Sequence, residues 1–202
     1  MTTTTRSGGS RSTARLEARR FQFMDAASKM ILEQGCLPIS LADLARRIGV
    51  SKGLIYSHFT DQHDLLNAIL LEHFEALNAD GIDEASQGEE IASVAESCAL
   101  IYFEHTALNG PLLHTILRDP YASQRLTPQL RRLRDRPMMR MARLARKQLH
   151  LSASETITAL NLVMTIPEEA GRWVHDQKID AADARSLCLK LVREAVLALT
   201  PH

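Results

Sequence analysis

The 202-residue sequence is poor in aromatics, at 4% with one tryptophan, and holds only nine glycines. Few segments alternate apolar with polar residues, and Ala, Leu and Arg dominate, so the composition points to an all-α protein. No stretch approaches the run of about eighteen apolar residues that a membrane span needs, so no membrane partner is expected. The opening MTTTTRSGGSRSTAR is polar and lacks the apolar core of a secretory signal. Three cysteines, Cys36, Cys98 and Cys188, are far apart and odd in number, which fits a reducing, cytoplasmic setting better than a disulfide framework. Cys98 reads as a buried structural thiol. There is no P-loop, nucleophile elbow, dinucleotide fingerprint or zincin motif, so neither an enzyme nor a cofactor is expected. His105 and His114 lack the i, i+4 pairing of metal sites, so no metal is expected either.

What is present is unevenly charged. The formal net charge is +0, yet residues 1–52 hold nine Lys/Arg against four Asp/Glu, a net of +5, which leaves −5 on the remainder. A basic N-terminal part suggests a negatively charged partner at one end only.

The pattern divides the chain into four parts. Residues 1–12 are Thr, Ser, Gly and Arg and read as a disordered basic arm. Its Arg6 and Arg11, with Arg15 just beyond, either reach a minor groove or belong to a solubilising tail. Residues 13–60 hold three helices, about Thr13 to Gln34, Ser40 to Ile48, and Lys52 to His58. Residues 61–79 read as a connecting helix capped by Thr60 or Asp61. An acidic, glycine-containing segment, Asp80 to Glu90, is expected to be the hinge into a larger helical domain, 80–202. Its helices are expected near 90–107, 111–118, 128–149, 154–176 and 181–199. Pro137 and Pro167 fall inside helical patterns and are expected to kink a helix or start a new one.

The stretch SLADLARRIGVSKGLIYSHF, Ser40 to Phe59, carries the chemistry. Ser40 with Asp43 forms a capping box, Gly49 permits a left-handed turn, and Ser51 caps the next helix. Ala45 is small where two helices meet, and Val50 and Ile55 close a small core. This is a helix-turn-helix pattern, whose second helix enters a major groove. Lys52 can neutralise a phosphate, and Tyr56 and His58 offer aromatic bodies with hydrogen-bonding tips. Ser40 and Ser51 open helices, whose N–H groups attract phosphate. Ser57 accompanies them, and Arg46 and Arg47 are candidates for further phosphate contacts. Leu54 either meets a thymine methyl or belongs to the core.

Through Ala26-Ala27, Gly35, Ser40, Leu44-Ala45, Gly49-Val50-Ser51, Gly53, Ile55-Tyr56 and His58-Phe59, the segment from Arg20 to Leu66 resembles the N-terminal domain of the TetR family of bacterial transcription regulators. It departs at one place. The family usually carries Lys two residues after Thr60, where this chain has Gln62 followed by His63. That phosphate contact is expected to be weaker unless His63 takes over part of it. The resemblance implies an all-helical homodimer, formed through the last two helices, with a C-terminal domain that binds a small-molecule effector. It implies a double-stranded DNA operator as partner, bound by two recognition helices roughly 34–36 Å apart. The implied activity is a ligand-released repressor. The alternative is a DNA-binding protein without such a ligand, whose C-terminal domain docks another protein.

Leu187, Leu191, Val192, Ala195, Val196 and Leu199 form an apolar stripe on the last helix, and Ile157, Leu160, Met164 and Val174 supply its partner. Read without the family, the stripe is core or interface alike. Tyr102, Phe103, His105, His114, Tyr121, Met138, Met141, Met164 and Trp173 suit an adaptable apolar pocket or the filling of a helical core. Glu168, beside the Pro167 kink, is a candidate to orient a ligand. The arginines between Arg131 and Arg146 read as a solvated face pairing with the acidic hinge, or as one aimed at an acidic ligand.

Overall fold

The computed structural model describes residues 8–200, with side chains from Thr13 onward. The described residues form eleven helices and no strand. In order these are α1 (Gly8–Gln34), α2 (Leu41–Arg47), α3 (Lys52–Tyr56), α4 (Gln62–Ala79), α5 (Ile82–Ala85) and α6 (Ile91–Asn109), then α7 (Leu112–Arg118), α8 (Pro120–Ser123), α9 (Pro128–Leu149), α10 (Ala153–His175) and α11 (Ala181–Leu197). The chain divides into two compact units, Met1–Ile69 and Leu70–His202. The division falls inside α4, not at either of its ends.

In the first unit, Phe23, Ala27, Met30 and Ile31 recur along one face of α1 and are buried. Leu44, Ala45, Ile55, Phe59, Leu65 and Leu66 of the same unit are buried as well. Gly35, at φ +66, ends α1 and donates its N–H to the Ile31 carbonyl at 2.8 Å. Ser40 and Ser51 cap α2 and α3, each Oγ accepting a backbone N–H at 3.3 Å. Between them Gly49, at φ +69, makes the turn, in a region that strains other residues. Asp61 is the cap of α4, its Oδ1 accepting from the Asp64 N–H at 2.9 Å.

The start of α1 is a correction. The helix begins at Gly8, so residues 8–12 are helical and not part of a disordered arm. Once 13–34 is helical, each added residue gains a hydrogen bond without a new nucleus. Residues 1–7, with Arg6, lie outside the described residues.

The second unit is built on α6, α10 and α11, which pack on one another, with α9 against α6 and α10. Its main core joins Ile91, Ala95, Ala99 and Phe103 to Leu149, Val163, Val192 and Val196. The expected hinge is structured: it contains α5, and Glu90 caps α6 by accepting from Ala92 and Ser93. Arg140 holds α5 in place, donating to the Asp83 carboxylate at 2.7 Å and the Asp83 carbonyl at 3.0 Å. Arg136 lies 3.4 Å from the same carboxylate. Thus the arginine-rich α9 pairs with the acidic segment, as its charge pattern suggested. Pro137 and Pro167 do not start new helices. Both are buried inside continuous helices, where each leaves the carbonyl four residues earlier without its helical donor.

One contact sets the spacing of this unit. A Cβ on Gly171 of α10 would lie 2.7 Å from the Thr106 Cβ and 2.8 Å from the Phe103 carbonyl oxygen on α6. Only glycine allows that approach. Gly171→Ala is expected to destabilise the second unit by about 1–3 kcal/mol, because backbone must move to admit the methyl. The unfolding midpoint in urea reads this, and a midpoint equal to that of the parent chain would remove Gly171 from that role.

Candidate nucleic-acid interface and ligand cavity

Short helices such as α2 and α3 do not persist alone and depend on caps and packing. Arg20 on α1 supplies a brace that the sequence pattern does not announce. Its Nη1 donates to the His58 carbonyl at 2.7 Å, and its guanidinium lies 4.2 Å from the Phe59 ring centroid. It also stands 3.9 Å from Asp64. The end of α3 is therefore pinned to α1 through the main chain and an aromatic face. The one available signal was its position at the start of the family-like segment.

The helix-turn-helix leaves a mixed surface. Ser40, Ser51, Lys52, Tyr56 and Ser57 are exposed, Tyr56 by 52%. Among the described residues, Lys52 and the Tyr56 hydroxyl have no hydrogen-bond or ion-pair partner. The serine caps accept from their own helices yet keep an O–H to donate. Gly53 has open space where a Cβ would stand, so the face of α3 is bare there. Leu54 is half-buried, part core and part surface.

Other candidates are differently placed. His58 is half-buried, its ring edge-on to Phe23 at 5.2 Å. Arg46 pairs with Asp43 in the open. Arg47 donates to both Glu33 oxygens, at 2.5 and 2.6 Å, and that hydrogen-bonded pairing lowers the Glu33 pKa. His63 is a correction: it is 6% exposed, packed inside the unit, and does not replace the missing Lys. Gln62, with its amide turned to suit both groups, instead brackets the Ile39 peptide at 3.1 and 3.3 Å. It ties the start of α4 to the connector ahead of α2.

The second unit contains a cavity of about 500 Å³. Its walls come from the end of α4 (Phe74, Leu77, Asn78), from α5, α6 and α7, and from facing stretches of α9 and α10. Of the ten expected ligand residues it brings six together: Tyr102, His114, Met138, Met141, Met164 and Glu168. Glu168 is 8% exposed and accepts from His114 Nδ1. Burial, with the Glu168 charge second, raises the Tyr102 pKa and keeps its hydroxyl protonated. Cys98 lies in the wall, its thiol pushed up to about 12 by burial, which makes it inert. Arg134, one of the arginines read as a solvated face or aimed at a ligand, also lines the cavity, as do Arg118, Asn161 and Thr165, which had no signal beyond helical phase.

Four expected ligand residues are elsewhere. Phe103 fills the main core. Tyr121 is exposed on α8, with the Arg125 guanidinium 5.6 Å from its ring centroid. Trp173, 48% exposed, lines an outer groove between α10 and α11. His105 is buried against His73, with Nε2 to Nδ1 at 3.0 Å and the rings edge-to-face.

The apolar stripe of α11 splits into two faces. Ala184, Cys188, Val192 and Val196 point into the core. Leu187 and Leu191 are 53% and 55% exposed and share an outer groove with Trp173, and Ile157 and Leu162 of α10 are exposed as well.

Comparisons with known proteins agree with this geometry. A family model described as "Bacterial regulatory proteins, tetR family" matches residues 23–69. The HTH-type transcriptional regulator BetI of Cronobacter sakazakii is 26% identical, over 91% of this chain and 94% of its own. BetI of Ectopseudomonas mendocina is 31% identical over 57% and 59%. Among solved structures, the TetR family regulator PfmR of Thermus thermophilus superposes with TM-score 0.60 at 19% identity, over 85% of this chain and 97% of its own. The ketosteroid transcriptional regulator KstR2 of Mycobacterium tuberculosis gives TM-score 0.60 at 16% identity, over 91% and 96%. The family match covers the helix-turn-helix part of the chain, and together with these relatives it supports a DNA-binding transcription regulator of TetR type. No described helix is long and apolar enough to cross a membrane.

The histidine pair makes stability depend on pH. Burial first, and the charge of His105 second, lower the His73 pKa to about 4, and burial lowers that of His105 against the pull of Asp80. Both rings are neutral in the folded chain at pH 7. The unfolded chain takes up these protons first, near pH 6.5, so the contribution is complete above that value and is lost as pH falls toward 4. Urea midpoints measured from pH 7 to 4.5 are expected to fall, and to fall less steeply in His73→Gln. Parallel curves would exclude the pair as the cause.

Proposed function

We propose that this regulator is a homodimeric repressor, released from a pseudo-palindromic operator by a small molecule. The observation that carries the reading is the cavity wall on α4. Phe74, Leu77 and Asn78 belong to the same continuous helix whose Leu65 and Leu66 are buried in the first unit. A ligand that favours a different setting of α4 changes the spacing of two recognition helices, and successive major grooves then fit poorly. The shift is bounded by the ligand's differential affinity for the two states. A cavity of about 500 Å³ supports this over a second unit that only docks another protein.

On the DNA side, Lys52, Tyr56, Ser40, Ser51 and Ser57 are the proposed contacts, with Arg46 free to leave its exposed pair. Arg47 enters only by giving up Glu33. Dimerisation is assigned to the outer faces of α10 and α11, where Leu187, Leu191, Ile157 and Leu162 leave apolar surface exposed.

Selection of bound fragments from sheared genomic DNA tests the reading, with Tyr56→Ala as control. One enriched palindromic site, lost in the control, is expected; no enrichment at moderate salt, with or without added effector candidates, would overturn it. Lys52→Ala is expected to weaken all DNA about equally and to lower the slope of log affinity against log salt by about one unit per protomer, roughly two for the dimer. An unchanged slope would remove Lys52 from the footprint. Leu187→Glu with Leu191→Glu is expected to give monomers in sedimentation while the helix content persists. A dimer that survives both charges would place the interface elsewhere.

A further inference from the structure

Resting on the ligand-responsive reading, we propose that the effector is an uncharged, largely apolar molecule bearing a hydroxyl, of the phenol or alcohol class, with that hydroxyl seated between Glu168 and Tyr102. Leu77, Ile82, Leu117, Leu133, Met138 and Met141 supply walls with no hydrogen-bonding group beyond weak thioether sulfur. Such walls take an apolar body, and the methionines adapt to its outline. Polar groups in the ligand must therefore be few and placed at one end.

That end is defined by two unsatisfied functions. The Glu168 carboxylate is buried, on the cavity surface, and among the described residues its one hydrogen-bond partner is His114 Nδ1. A carboxylate accepts at about four positions, so most of its capacity is unused. Tyr102 also lines the cavity, and its hydroxyl has no side-chain hydrogen bond among the described residues. Burial and the Glu168 charge keep it protonated, so it can both donate and accept. A ligand hydroxyl complements both: it donates to Glu168 and accepts from Tyr102.

Charge decides against the alternatives. A carboxylate head at this end would lie beside buried, like-charged Glu168. An ammonium head would compete with His114 for a carboxylate already engaged, in a cavity that Arg118 and Arg134 also line. Arg134 is paired with Asp135 at 2.6 Å, while Arg118 keeps its charge unpaired among the described residues. A neutral donor meets neither penalty.

The test uses the full chain and calorimetric titration with four probes of one shape. These are 4-hexylphenol, 4-hexylanisole, 4-hexylbenzoate and 4-hexylbenzylammonium. The phenol is expected to bind best, and the anisole, in which a methyl replaces the donor hydrogen, at least about tenfold more weakly. Glu168→Gln is expected to shrink the phenol-to-anisole ratio, and Tyr102→Phe to shrink it in part. Leu117→Trp, which fills the half-buried side of the cavity, is expected to abolish binding of the phenol. Equal binding of phenol and anisole, or tighter binding of benzoate or ammonium that Leu117→Trp still abolishes, would overturn the class while leaving the cavity as a ligand site. Binding that Leu117→Trp leaves unchanged, or no binding of any probe, would overturn the cavity reading and this proposal with it. The probe comparison on the parent chain decides the class even if Glu168→Gln fails to fold.

Discussion

The second unit depends on one close approach, the passage of α10 over α6 at Gly171. With Phe103 and Thr106 at contact distance for a missing Cβ, the two backbones meet with almost no side chain between them. Everything nearby inherits that spacing. Glu168 stands three residues before Gly171, and Met164 four before that, so all three share one face of α10. Tyr102 adjoins Phe103 on α6. The cavity therefore opens beside the tightest helix contact, and the separation of Tyr102 and Glu168 is fixed by backbone packing and not by flexible side chains. Pro137 and Pro167 contribute at the same level. Each frees a carbonyl inside a buried helix, and the residues around both contribute to the cavity wall.

The first unit solves a different problem. Its two central helices, of seven and five residues, have no intrinsic persistence. They exist because both ends are tied. Serine caps satisfy their first N–H groups, Gly49 turns the chain between them, and Arg20 takes up the His58 carbonyl at the far end while covering Phe59. Rigidity matters because base readout needs side chains held to a fraction of an ångström on a short element. Gln62 belongs to the same solution. Where the family usually carries a lysine, it makes two hydrogen bonds to the Ile39 backbone N–H and carbonyl, which firms the frame.

Much of this was readable from sequence, and the reasons differ by region. The helix-turn-helix was legible because caps, the turn glycine and the small inter-helix alanine are local requirements at fixed offsets. The arginine brace was not, since it joins residues 38 apart. Helix positions in the second unit were legible from Pro and Gly punctuation. Facing was not. On α6 the apolar residues are spread nearly all round the helix, and Leu108 among them is 80% exposed, so periodicity cannot rank Tyr102 above Phe103 or His105. On α11 the apolar stripe was wide enough to serve core and exterior, and only packing separates Val192 from Leu191. His63 failed for the converse reason: a polar residue in a family-like slot says nothing about burial.

Ion pairing removes part of the basic excess of the first unit. Lys29, Arg46 and Arg47 are each paired with an acid of the same unit, Asp25, Asp43 and Glu33. Exposed pairs of this kind add little stability, and their field beyond a Debye length of roughly 10 Å at 0.1 M salt is close to cancelled. Lys52, at the start of α3, has no such partner among the described residues, and neither do Arg15 and Arg19 on α1, so part of the uncancelled charge coincides with the bare face around Gly53 and Tyr56. One head of this kind offers few phosphate contacts, and a few contacts give affinity that falls away at physiological salt. Two heads held in one molecule gain through effective concentration what neither has alone. On this reading the exposed Leu187 and Leu191 are as necessary to DNA binding as Lys52, although they lie in the other unit of the chain.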